Sequence, residues 1–154
     1  MSRIHRNLPS DAAEVHRVAV ELRDLCRSLG FNEIETCEIE LAACEAMVNV
    51  IRHAYLNQPG KTMTVDADVR EGKLVLEITD TGTSMPPGRV RELIHGADCE
   101  PEDPRCRSSL REGGRGLQII HDIMDEISYE TRDGVNRMRL AKWLAPGNHD
   151  APLP

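Results

Sequence analysis

The chain has 154 residues, enough for one domain with a core of its own, and 40% of them are hydrophobic against 29% charged. Lys and Arg total 19 and Asp and Glu 26, a formal charge of −7, which disfavours a general binder of DNA, RNA or anionic lipid. One Phe, one Trp and two Tyr are too few for a platform that stacks several bases, so aliphatic side chains must build the core.

Arg3 to Leu8 reads as a short strand ending at Pro9, and Ser10 and Asp11 offer N-cap oxygens to a following helix. Val15, Val18, Ala19, Leu22, Leu25, Cys26 and Leu29 recur at helical spacing over residues 11–29, and Gly30 supplies the stop. Asn32 caps a second helix, whose apolar positions Ile34, Cys37, Leu41, Cys44, Val48 and Ile51 keep the same period until Asn57, Pro59 and Gly60. From Lys61 the period becomes two. Met63, Val65, Ala67 and Val69, a Glu71-Gly72 turn, and Leu74, Leu76 and Ile78 predict a β-hairpin. A second hairpin runs from Ile127 and Tyr129 through Asp133-Gly134 to Val135, Met138, Leu140 and Trp143. Between the hairpins, residues 81–116 are rich in Pro and Gly, and only Val90 to Ile94 look helical; so much loop implies a use for it.

No stretch approaches the roughly 18 consecutive apolar residues of a membrane span, and the N-terminus lacks the apolar run of a signal peptide, so the expectation is a cytoplasmic protein. The five cysteines are read as free thiols. Cys99 and Cys106 lie among acidic residues, but no CxxC or second ligand pair supports zinc there.

Three elements carry chemistry. Glu45, Asn49 and His53 recur at i, i+4 on the second helix, about 6 Å apart along its axis, and form one polar stripe among apolar neighbours. Alone, that spacing fits a solvated face; amid Leu41, Ala42, Ala46, Met47 and Val50, a carboxylate is costly unless paired or used. Asp80 ends a strand and is followed by Thr81-Gly82, where a carboxylate can accept a hydrogen bond from an exocyclic amine, although Asp-X-Gly is also an ordinary way to leave a strand. Glu112-Gly113-Gly114-Arg115-Gly116 opens onto the periodic segment Leu117, Ile119, Ile120, Ile123 and Met124, a glycine-rich loop at a helix N-terminus suited to phosphate. It is neither a P-loop nor a dinucleotide fingerprint.

In this order, the three elements resemble the ATP-binding fold shared by gyrase, the chaperone Hsp90, sensor histidine kinases and the repair protein MutL. Glu45-Ala-Met-Val-Asn49 with Ile-Arg-His-Ala-Tyr55, Asp80-Thr-Gly82, and Glu112-Gly-Gly-Arg-Gly-Leu117 look more closely like the anti-sigma-factor serine kinases of bacterial partner-switching systems. The likeness runs to about Trp143. It implies a two-layer α/β (α+β) sandwich of the Bergerat type: a mixed, mainly antiparallel sheet with three long helices on one face. Residues 1–145 would be a single domain with an ATP lid at about 86–113, and 146–154 a flexible tail. The other sheet face, expected to carry few charges, would be free for a dimer or partner.

The resemblance also assigns roles. Asn49 would hold Mg²⁺ on the phosphates of ATP, Asp80 would read the adenine amino group, and Gly82 would let the base pack close. Gly114 and Gly116 would hinge the lid and touch phosphate, with Arg111 or Arg115 on the terminal phosphates. Glu45 would be the general base for a Ser/Thr hydroxyl or water. His53 matches the branch without a chemical step assigned to it. The implied partners are an antagonist protein bearing the phosphoacceptor, a sigma factor and a second copy in a homodimer. The competing readings are a nucleotide-gated sigma-binding module and a stand-alone histidine-kinase-type catalytic domain. With so few aromatics, adenine would be gripped by aliphatic packing and Asp80 rather than by a stacked ring.

Overall fold

A computed structural model describes residues 3–97 and 115–145. Arg111, Gly114, Cys99, Cys106, most of the expected lid and the expected tail lie outside the described residues.

The elements follow the sequence punctuation. Strand β1 spans Arg3–Pro9, and helix α1 spans Ala12–Ser28 with Asp11 accepting from the Ala13 amide. Helix α2, Glu33–Asn49, opens with a reciprocal capping box between Asn32 and Glu35. It runs into a π-helical turn, Val50–Ala54, in which the Tyr55 amide donates to the Val50 carbonyl at 3.0 Å. Strands β2, Thr62–Arg70, and β3, Lys73–Asp80, form the first hairpin. Helix α3 spans Pro87–His95, longer than the predicted Val90 to Ile94 and set within the expected lid. Helix α4, Arg115–Ile123, leads into the second hairpin, β4 over Glu126–Arg132 and β5 over Val135–Trp143.

The sheet order is β1-β2-β3-β5-β4, and every neighbouring pair is antiparallel. The β3·β5 pairing joins the two hairpins and sets Asp80 opposite Asn136. Period-two alternation sends Ile4, Met63, Val65, Leu76, Ile78 and Leu140 into a core shared with the helices. On α1 the buried face is the predicted one, and burial pushes the Cys26 thiol up to about 12, as suits an inert core residue. Cys26, Cys37 and Cys44 are free thiols.

Two expectations change. Helix α2 buries Thr36, Ile39, Ala42, Ala43, Ala46 and Met47, whereas Ile34 is 72% and Leu41 45% exposed. Apolar residues surround α2 on nearly all sides, so periodicity could not choose its inward face. The second change concerns the open sheet face, which is charged rather than poor in charge. Asp66 pairs with His5 at 2.6 Å, and Arg70 bridges Asp68 and Glu77 at 2.9 Å each. Arg139 approaches Glu77 at 3.8 Å. These are the residues that alternate with the apolar core positions of the same strands.

No helix among the described residues is long and apolar enough to cross a membrane.

Candidate functional site

The loop after β3 is built around Asp80. The carboxylate is 6% exposed, and its Oδ1 accepts from the Gly82 amide at 2.9 Å and from Asn136 Nδ2 at 2.8 Å. Asn136, 1% exposed, also donates to the Gly82 carbonyl at 3.0 Å, while its own oxygen accepts from Ser84 at 2.9 Å and Thr131 at 2.7 Å. Both ends of the amide are therefore satisfied, and the Asp80 carboxylate is held in one orientation. Burial pushes the Asp80 carboxyl above the usual range, partly opposed by the Asn136 and Gly82 bonds. A donor from a ligand would relieve that cost.

Asn136 was missed in the sequence. The signal was there, since the inward positions of β5 are 136, 138 and 140, and an Asn at an inward strand position demands a partner. Asn136→Ala would leave the Gly82 carbonyl and one carboxylate bond unmet, a cost of about 1–3 kcal/mol. A lowered thermal midpoint together with weaker ligand binding by the Asp80 pocket is the expected result; unchanged unfolding and binding would contradict it.

Two tyrosines hold the rest of the loop. Tyr55 OH accepts from the Thr81 amide at 3.0 Å and donates to the Thr62 carbonyl at 2.6 Å. Tyr129 OH accepts from the Met85 amide at 2.8 Å.

Gly82 has a reason that local sequence did not supply. A Cβ there would lie 2.4 Å from the Ala54 carbonyl oxygen and 2.6 Å from its carbon, and the Thr83 amide donates to that same carbonyl at 2.8 Å. The π-helical turn thus presses its last carbonyl into the Asp80 loop. Close approach of the chain itself already demands a glycine. Because the obstacle is backbone, Gly82→Ala must displace the loop, with a cost of about 1–3 kcal/mol and a midpoint lowered by roughly 2–10 °C. Thermal unfolding of the variant checks this, and an unchanged midpoint would refute the contact.

A cavity of about 230 Å³ opens beside this loop, walled by Ile78, Met138 and Met85 and reached by Asp80, Asn49 and His53. Tyr129 also lines it, so the wall is not wholly aliphatic as expected. A small cleft of about 20 Å³ continues from the same side of α2, lined by Glu45, Asn49, Arg52, His53 and Gly116. Asn49 and His53 belong to both. The stripe Glu45, Asn49, His53 therefore lines a depression made of these two adjoining cavities. Glu45 and Asn49 are half-buried and His53 is exposed, so the carboxylate sits at a cleft rather than among apolar neighbours.

Gly116, in the first turn of α4, faces Glu45: a Cβ on it would come within 2.5 Å of the Glu45 Oε2 atom. Arg115 is exposed at the first position of α4 and lines neither cavity. Arg89, on α3, was not singled out from the sequence and lines the larger cavity. Partial desolvation at the cavity, with Arg89 and Arg52 alongside, holds the His53 imidazole below its ordinary range.

A depression with apolar walls, Asp80 at one end and Glu45 beside Gly116 of α4 at the other suits a nucleotide. Residues 8–142 match the histidine kinase-like ATPase domain. The chain belongs to that family, and use of ATP comes with the domain. The chain is 28% identical over 132 residues to the serine-protein kinase RsbW of Halalkalibacterium halodurans, covering 86% of this chain and 78% of that one. With the RsbW of Bacillus subtilis it shares 25% over 142 residues, covering 92% and 85%. Its fold also resembles a chain in the crystal structure of the SiaB-SiaC complex from Pseudomonas aeruginosa, with a TM-score of 0.69 at 18% identity over 90% of this chain and 88% of that one.

Magnesium fits the donor set. Among the described residues no group of three or more His, Cys, Asp or Glu could cage a metal. Mg²⁺ needs no such cage, since it keeps several waters and takes one or two protein oxygens plus phosphate. The Asn49 side chain makes no helix-capping bond and opens on both cavities, which suits that limited role.

Proposed function

We propose that this protein is an ATP-dependent serine/threonine protein kinase that phosphorylates a small antagonist protein in a partner-switching system and also holds a sigma factor. The observation that carries the reading is Glu45, one helical turn before Asn49, on the wall of the cleft and against Gly116. A kinase acting on a hydroxyl needs a group to orient it and accept its proton, and a carboxylate at the far end of the depression from Asp80 supports that reading.

In this reading Asp80 accepts from the adenine amino group, and the phosphate chain runs past Asn49 towards Gly116. Asn49 would hold Mg²⁺, whose charge neutralises the phosphates. The hydroxyl oxygen attacks the terminal phosphorus, its bond to the bridging oxygen breaks, ADP leaves, and the hydroxyl proton passes to Glu45. Gly114 and Gly116 would contact phosphate through the backbone, with Arg111 or Arg115 adding charge. Residues 1–145 would act as one domain, paired in a homodimer.

Incubation with Mg-ATP and a candidate antagonist encoded beside the gene should give an acid-stable phosphoprotein. Bound nucleotide without transfer would refute the kinase and leave the sequestering module; an acid-labile product would point to histidine.

A further inference from the structure

Helix α2 ends in an unusual way. Across the π-helical turn Val50–Ala54 the Tyr55 amide donates to the Val50 carbonyl rather than to that of Ile51, which takes the Asn57 amide at 2.8 Å instead. The extra residue turns Ala54 and Tyr55 by about 100° from an α-helical course. Directly afterwards Leu56 and Asn57 both stand in the left-handed region, at φ of 51° and 58°, a conformation that leucine adopts only where its surroundings impose it. What this costly ending delivers is contact with the loop after Asp80. The Ala54 carbonyl accepts from the Thr83 amide at 2.8 Å. The Tyr55 phenol accepts from the Thr81 amide at 3.0 Å and donates at 2.6 Å to the carbonyl of Thr62, where β2 begins. Tyr55 is 5% exposed and lines neither cavity, so it stands behind the depression rather than in it.

We propose that Tyr55 is a positioning residue for phosphoryl transfer: its phenol locks the π-helical turn against the loop after Asp80 and so fixes the span between the base-reading carboxylate and the Glu45 and Asn49 side chains of α2. This rests on the kinase reading and adds to it a residue outside the depression. The two ends of the site belong to different elements, a loop and a helix. A nucleotide held by Asp80 presents its terminal phosphate to Glu45 only when the two are in register, and a misplacement of about 1 Å is enough to cost on the order of 10²-fold in rate. Asp80 itself keeps its bonds from Gly82 and Asn136 whether or not the phenol is present, so the base end does not depend on Tyr55 for its own shape.

Tyr55→Phe keeps the buried ring and removes only the bonds. With ATP bound, single-turnover transfer to the antagonist should fall by about 10-fold or more, whereas adenosine affinity, which needs only the Asp80 end, should change by less than about 3-fold. Rates are taken at a temperature where adenosine titration shows the variant folded. Amide exchange gives a second reading that needs no reaction: Thr81 and Thr83 should both exchange faster by about 10-fold or more in the variant, because turn and loop loosen together. A lowered thermal midpoint with a wild-type transfer rate would make Tyr55 merely structural and overturn the proposal. Faster exchange at Thr81 alone, or adenosine binding lost in step with transfer, would overturn it as well. If the wild-type chain binds ATP yet transfers nothing, the kinase reading falls and takes the positioning role with it; if wild-type transfer is intact and the variant matches it, only the positioning role falls.

Discussion

Replacing Glu45 with alanine is expected to reduce phosphoryl transfer by about 10²- to 10⁴-fold while ATP still binds, because a positioned acid-base group is worth that much and Glu45 lies at the opposite end of the depression from Asp80. The substitution should not disturb the helix. Alanine has the best helix propensity, and Glu45 is half-buried at the edge of a cleft rather than sealed in the core. Glu45→Gln is the sharper variant, since it keeps the shape and the hydrogen-bonding reach but cannot take a proton. Single-turnover transfer measured with nucleotide bound distinguishes the cases, and a near wild-type rate in either variant would remove Glu45 from the reaction. Gly116 bears on the same step: a methyl group there would meet the Glu45 carboxylate at 2.5 Å and push it aside.

The second large effect is on binding. Asp80→Ala removes the buried carboxylate that would read the base, and a hydrogen bond to a charged group is worth about 1.5–3 kcal/mol, so ATP affinity should fall by about 10- to 100-fold. It also strips the Gly82 amide and Asn136 Nδ2 of their shared acceptor, so stability should fall with it. Asp80→Asn keeps an acceptor in place and separates the two consequences. The pH dependence has a definite sign. Burial raises the Asp80 carboxyl in the free protein, and a bound amino group stabilises the ionised form, lowering it again. Affinity is thus full above the raised free-state value and declines as the pH falls through it. ADP titrations at decreasing pH should show that decline in the wild type and lose it in Asp80→Asn; a flat wild-type profile would argue against the carboxylate as the reader.

Much of this was legible residue by residue. The Asn32 cap, the Glu71-Gly72 and Asp133-Gly134 turns and the change of period at Lys61 all act within a few positions, and local chemistry suffices to place them. The Glu45, Asn49, His53 stripe was visible for the same reason, since a helix of known pitch puts i and i+4 on one face. The failures lie elsewhere. Ile34 and Leu41 fit the helical period as well as Ile39 and Ala43 do, so only the packing of α1 and the sheet against α2 could decide which row went inside. On the open sheet face, the residues that alternate with the apolar core positions carry paired charges, and which face stays open is settled only when the helices cover the other.

By itself, then, the sequence determined the elements, their order and the chemical types available at Glu45, Asn49, Asp80 and Gly116, because helix period, strand alternation, caps and turns are short-range effects. Tertiary structure alone decided what those residues face. Asn136 meets Asp80 from 56 positions away, Tyr129 meets Met85 from 44, and the Ala54 carbonyl fills the space beside Gly82. Such contacts follow from the pairing of β3 with β5 and from the π-helical turn at the end of α2, which depend on the whole core closing and leave no periodic trace in any one segment.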